Sequence, residues 1–441
     1  MNKALLIFIT FSLFIIPFNY LKAQDNSQKK DTSDYYKSNY LRYDNHVYVD
    51  NIKTVLLYPA GAETGTPTIK LNANGKLMLS FDDLDNDIKN YSYTFIHCEA
   101  DWTPSDYDKA NYITGYTDEP IETNQYSSNT LTKYTHYTLT FPSQTMQPTI
   151  SGNYVLIVFR DYDQKNIILT RRFMIYEQLV SIDAKINRAS VIDDRNAKQK
   201  VDFSILYPNY KIDNPFEELK VVITQNDRTD NAITNLKPLF LKDKELDYNY
   251  EKENTFNGGN EFRFFDTRNL NYLAEHIYRF AYDSIGNHQT FLDQDQRRSS
   301  KRYLTAQDIN GSYLIHVQDK TDAGIEADYT TVHFSLPLSE QITDGNIYVF
   351  GAFSDWRYGN DTRMKYTPED NSYHAALLLK QGYYNYEYIF VKTGTDSADH
   401  SYIEGSHYET ENDYTIYVYH HPIGVRYDKL IGVKRVNSIK G

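Results

Sequence analysis

Residues 77–102 constrain the fold more than any other stretch. Leu77, Leu79 and Phe81 alternate with Met78 and Ser80, and Tyr91, Tyr93 and Phe95 alternate with Ser92, Thr94 and Ile96. Successive side chains of a strand point to opposite faces, so a period of two marks a strand with one face on a core. Asp82, Asp83, Asp85, Asn86 and Asp87 lie between the two runs. Such side chains bond nearby backbone groups and favour a turn, here expected to close a hairpin. The same pattern predicts strands at residues 54–57, 134–141, 153–159 and 168–175. It continues at 180–184, 199–206, 219–224, the turn and aromatic strand of 258–266, 313–317, 329–334, 346–356, 373–379 and 381–391; residues 269–280 are the one stretch that reads as helix, with loop and strand as the alternative. Many short strands with Pro and Gly between them predict an all-β chain of tandem immunoglobulin-like β-sandwich domains.

The domain boundaries follow from breaks in this pattern. Lys3 and an almost entirely apolar run over residues 4–17 precede Lys22-Ala23 and a polar stretch. This is the pattern of a secretory signal over residues 1–23, too short to span a bilayer at the ~20 residues a helix needs. Residues 24–42 are polar and aperiodic and read as a flexible tail. Sandwiches are expected at 43–176, 177–337 and 338–441, with Pro337 breaking the chain before the last. Three in a row imply an elongated rod. No later stretch is apolar enough to insert in a membrane directly.

Charge and motifs exclude several function classes. The chain has 46 basic and 59 acidic residues; without Lys3 and Lys22 this becomes 44 against 59, a net charge of −15. That balance opposes nucleic acid and anionic membrane surfaces, which need Lys and Arg. The single Cys98 cannot form an intramolecular disulfide and is expected to be a small buried hydrophobe. The 42 tyrosines suit half-buried sheet faces. No serine-hydrolase elbow, phosphate loop or His-Glu-x-x-His sequence is present, so an enzyme is not expected and no cofactor is implied. Asp83, Asp85 and Asp87 have the alternate spacing of a calcium loop, but Ile88 and Thr94 stand where Gly and Glu are required, so no metal site is expected. His420 and His421, adjacent on a strand, point to opposite faces and do not pair as ligands.

Several motifs carry a resemblance. Phe81-Asp82-Asp83-Leu84-Asp85, Tyr93-Thr94-Phe95-Ile96-His97-Cys98, Asp101-Trp102, Ser151-Gly152-Asn153-Tyr154, Leu169-Thr170-Arg171-Arg172-Phe173-Met174, Gly259-Asn260-Glu261-Phe262-Arg263 and residues 351–356 occur in collinear order. Together they resemble the type IX secretion system plug family of the Bacteroidetes. The resemblance implies a periplasmic protein that occludes the periplasmic mouth of the outer-membrane translocon barrel. Trp102 and Asp101, in a loop after a strand, are the candidate anchor for that protein partner; the bland alternative is that Trp102 caps its own core. Residues 338–441 also resemble glycogen-binding immunoglobulin-like modules, through Gly351-Ala352-Phe353-Ser354-Asp355-Trp356 and a later Gly382-to-Tyr386 strand. This implies an alternative function, glycan binding by the stacking of a sugar on Trp356. Glu387 stands where those modules carry Lys and no second Trp follows, so Trp356 is expected to pack on its own sandwich.

Overall fold

The apolar faces predicted for residues 77–98 do meet, but across a core and not along a hairpin. The computed structural model describes residues 40–439; the signal at 1–23 and most of the 24–42 tail lie outside the described residues. Leu77–Asp83 runs between Ile52–Pro59 and Thr135–Phe141 in one sheet. Tyr91–Cys98 runs between Gly152–Arg160 and Asp118–Pro120 in the other. The acidic turn therefore crosses from sheet to sheet. Its seven residues, 84–90, exceed the two to five of a hairpin loop. Phe81 and Tyr91 then meet at 5.4 Å across the core, with Tyr137 stacked on Phe81 at 5.1 Å. Thr68–Lys70 adds the one parallel pairing of this sandwich, on Ile167–Tyr176.

The middle sandwich is discontinuous. One sheet holds Ser181–Arg188, Lys198–Leu206, Glu245–Asp247 and Phe240–Lys242. The facing sheet is Leu219–Gln225, Asp413–His420 and Lys429–Asn437. Tyr414, Ile416, Val418 and Ile431 thus share a core with Val201, Phe203, Val221 and Ile223. The linear division into 177–337 and 338–441 does not describe this arrangement. Leu219–Gln225 needs a partner for its backbone groups, and the partner comes from the far end of the chain. The third sandwich is inserted between, with Phe265, Val332, Phe334, Ile347, Val349 and Tyr386 in its core. Within it, residues 269–280 take the loop-and-strand alternative to a helix: loop up to His276 and then the strand Ile277–Tyr282, paired with His288–Leu292. Among the described residues no helix is long and apolar enough to cross a membrane.

The three sandwiches close on one another, which replaces the expected rod. Asp82 of the N-terminal sandwich accepts from Lys380 Nζ and Tyr329 Oη of the third, both at 2.6 Å. Arg228 of the middle sandwich pairs with Glu387 of the third at 3.4 Å. Tyr419 Oη donates to Asn153 Oδ1 at 2.7 Å, joining middle to N-terminal. Lys380 and Asp82 are each 1% exposed. Burying such charges costs several kcal/mol of desolvation apiece, so these contacts fix the arrangement more than they stabilise it, and removing one partner leaves the other uncompensated.

Candidate functional site

Where the three sandwiches meet they leave a cleft of about 360 Å3, and both tryptophans of the chain line it. Trp102 follows the end of Tyr91–Cys98 in a tight turn: its N–H donates to Glu99 O at 2.9 Å, and its φ is +66°. Asp101, exposed to solvent, holds this turn by accepting from Thr103 N at 3.0 Å and Thr103 Oγ1 at 2.5 Å. The turn sets the indole on the outer face of its sheet, between its own sandwich and the middle one. It packs on Cys98, Val155 and Ile157 of its own sandwich and, with Ala100 and Met174, against Tyr417, Tyr419 and Leu430 of the middle one. Trp356 comes from a matching turn in the third sandwich, with φ of +55° at both Asp355 and Trp356. Its ring meets Phe350 at 5.5 Å and Phe262 at 5.9 Å, with the Arg228 guanidinium 5.0 Å from its centroid. A Cβ on Gly311 would lie 2.1 Å from Trp356 Cη2, so the ring is seated on that backbone.

Arg172 and Arg357 line the cleft together with Asp44, Asp101, Asp227 and Asp355. Arg171 pairs with Asp355 at 3.4 Å, Arg357 with Asp44, and Arg435 with Asp227 at 3.0 Å. Arg172 differs. Its guanidinium lies 4.3 Å from the Trp102 centroid and its Nε donates to Tyr43 O at 2.8 Å. Among the described residues no carboxylate lies within ion-pair distance of it, and its two terminal nitrogens have no protein acceptor. Burial pulls its pKa down to about 10; Asp44 opposes this and the Arg357 charge adds to it. The cleft therefore combines aromatic walls with one partly desolvated guanidinium that makes no direct ion pair among the described residues. That is binding chemistry.

The other candidate groups are engaged within the fold. Lys89 Nζ sits among the acidic turn's carboxylates, 2.7 Å from Asp83, 2.5 Å from Asp85 and 3.1 Å from Asp87, so its ammonium supplies the charge a cation would bring. A second trio, Glu99, His421 and Asp428, already takes the Lys220 ammonium at 2.8 Å on Asp428. His420 and His421 do diverge: His420 Nε2 meets Glu218 at 3.0 Å, and His421 Nδ1 meets Asp428 at 2.9 Å. Cys98 is fully buried, and burial pushes its thiol up to about 12. Glu387, Arg228 and His400 form a closed network beside Trp356, with His400 Nδ1 2.8 Å from Glu387.

The sequence placed Trp102 and Trp356 in separate roles, and the structure brings them to one site. One sign of this was available. Both follow an aspartate, as Asp101-Trp102 and Asp355-Trp356, and both dipeptides sit just past a strand. Arg172 had no comparable signal, because its lack of a direct ion pair depends on where all its neighbours fall.

Residues 52–177 match the family model described as "Type 9 secretion system plug protein 1st domain". That span coincides with the N-terminal sandwich, which supplies Trp102 and Arg172. No curated protein matches the chain. Among solved structures, the chain is similar to a hypothetical protein from Parabacteroides merdae ATCC 43184, determined by crystallography at 2.30 Å. The two are 34% identical, with a TM-score of 0.86, over 90% of this chain and 100% of the other. All three sandwiches are thus shared ground between the two proteins.

Proposed function

The chain belongs to the same family as that Parabacteroides merdae protein, with a type 9 secretion system plug domain at its head, and from this premise we propose that it is a periplasmic plug. It binds the outer-membrane translocon barrel of the system and occludes the periplasmic mouth. It acts by occupancy, without turnover or cofactor. The observation that carries this reading is the plug-domain match over residues 52–177. The cross-linked arrangement of the three sandwiches supports it, since a seal must resist deformation. The acidic surface is compatible with a protein partner and opposes nucleic acid. Trp356 favours no glycan reading: its ring packs on Phe262, Phe350 and Arg228, and Glu387 beside it is tied to Arg228 and His400.

The test is purification of a tagged copy from outer-membrane extracts. The expected outcome is recovery of one large β-barrel protein, through an interface above the ~1,000 Å² of a specific complex. Deleting the gene should leave the barrel assembled and make the outer membrane permeable to large antibiotics. A tagged chain that recovers no barrel, or a deletion strain with unchanged permeability while the barrel is held open, refutes the role.

A further inference from the structure

Trp102, Arg172, Met174, Tyr417 and Trp356 come from all three sandwiches and meet at a cleft large enough for one or two side chains. We infer that this cleft is a receptor for the tip of a loop from the protein partner, one that carries an apolar side chain next to a carboxylate. The inference rests on the plug reading for its choice of partner. The walls set the first requirement. Trp102, Met174, Tyr417 and Tyr419 pack against one another yet leave apolar surface on the cleft. Arg172 sets the second. Its guanidinium is stacked over an indole and partly buried, with the Asp44 charge nearby but no carboxylate at ion-pair distance among the described residues. A guanidinium so placed is matched by a planar carboxylate, which it can bind through two parallel hydrogen bonds.

Both requirements fall on one small volume, so both must come from neighbouring residues of one segment. A loop tip suits this better than a running strand: a strand sends adjacent side chains to opposite faces and could bring only one of them to the cleft. The periplasmic mouth of a closed barrel presents short turns, and not chain ends. Arg and Trp in a partly desolvated pocket are also the residue types that dominate binding energy at protein interfaces.

Both tryptophans of the chain line the cleft, so intrinsic fluorescence reports on it directly. The probes are N-acetyl-Phe-Glu-amide and N-acetyl-Phe-Gln-amide, which differ only in the carboxylate, titrated into the whole mature chain. The expected result is a saturable change in emission with the Glu peptide and binding at least tenfold weaker with the Gln peptide. Arg172→Gln should abolish that preference. Ala232→Phe fills the cleft away from Arg172 and should abolish the response altogether, which keeps the test open should R172Q fail to fold. Equal affinity for the two peptides, or a response that never saturates, overturns the inference. So does undiminished copurification of the A232F chain with the barrel, because the cleft then binds peptide without serving in docking. If the native chain recovers no barrel at all, the plug reading falls separately and takes with it the assignment of the partner, while the peptide titration still decides the chemistry of the cleft.

Discussion

Replacing Lys380 by Met should do more damage than its distance from any surface suggests. Lys380 and Asp82 are each 1% exposed and meet at 2.6 Å. Asp82 also accepts from Tyr329 Oη at 2.6 Å and meets His136 Nδ1 at 2.6 Å. Removing the ammonium leaves a buried carboxylate with hydrogen bonds but no full countercharge, a change that costs about 3–5 kcal/mol. The double change Asp82→Asn with Lys380→Met removes both charges and should cost about 2 kcal/mol or less, so the two single losses cannot add. Urea unfolding resolves this, because urea leaves the charges unscreened. The two tryptophans report on both sides of the junction, Trp102 in the N-terminal sandwich and Trp356 in the third. Hydrogen exchange should quicken in Leu77–Asp83 and Tyr329–Pro337, the strands that carry Asp82 and flank Lys380. The acid limb adds a check. Burial alone would raise Asp82, yet Lys380 and His136 hold it below its ordinary 3.8. A depressed carboxylate gives stability that is present above the unfolded value and lost as pH falls through the folded one. The native chain should therefore lose stability only below about pH 4, and K380M should begin losing it at higher pH. Single losses under ~1 kcal/mol with no coupling between the two positions would mean that water reaches the pair, and the reasoning from burial would be wrong.

Other perturbations follow from the same structure. Glu99 is raised to about 7 by burial and by the Asp428 charge, with Lys220 opposing. A raised carboxyl holds its proton longer folded than unfolded, so it should erode stability as pH rises from about 4.5 to 7; Glu99→Gln should remove that slope from pH-dependent melting. Asp428, whose pKa is lowered, acts in the opposite sense below 3.8 and does not share this window. Lys89→Ala should lower the melting temperature and make it calcium-sensitive, whereas the native chain should melt alike with calcium and with chelator; calcium-dependent melting of the native chain refutes the lysine's role. Cys98 should ignore a thiol reagent until denaturant is added, since its thiol is buried and raised to about 12. Ending the chain after Asn412 removes two of the three strands of one middle sheet, and should unfold the middle sandwich; a soluble truncated chain with native exchange in Leu219–Gln225 would contradict the pairing.

Strand identity was legible in the sequence, and strand partnership was not. Tyr91–Cys98 matches its predicted span because alternation is a local property of the chain. Asp413–His420 alternates as clearly, with Tyr414, Ile416 and Val418 on the core, yet position along the chain alone assigned it to the third sandwich. Its partner Leu219–Gln225 lies almost two hundred residues earlier, and nothing in either strand specifies the other. Asp82 shows the same limit for a side chain. Beside Asp83 and Asp85 it reads as a solvated turn residue; in the fold it is buried because Lys380 arrives from 298 residues away. The cleft is the extreme case, since its walls come from three sandwiches and its defining feature, an Arg172 with no direct ion pair among the described residues, depends on where every neighbour falls. At 269–280 the sequence left helix and loop-plus-strand open, and helix loses for a local reason: Leu270, Leu273 and Ile277 have helical spacing, but Tyr272, Leu273 and Tyr278 are exposed and Ile277 is taken by a sheet edge.

The discontinuous middle sandwich bears on how a plug of this build would leave its seat. The third sandwich enters and leaves the middle one by two chain crossings, near Phe262 and near Gly405, so it cannot swing on a single linker. Opening the molecule at either junction would also expose Asp82–Lys380 or Arg228–Glu387. Separating such a pair into water recovers hydration, but any partial opening leaves one charge buried alone, at about 3–5 kcal/mol. A transition that must pass through both states is slow and poorly suited to gating. Detachment as one body avoids them, because it disturbs only the outer surface and the cleft, where Arg172 can return to solvent. Under the proposed role, release is therefore governed by competition for that surface, and variants that weaken the internal ion pairs should alter stability while leaving the affinity for the partner unchanged. A K380M chain that remains folded but dissociates from the barrel much faster than the native chain would show that internal opening, and not surface competition, sets the release.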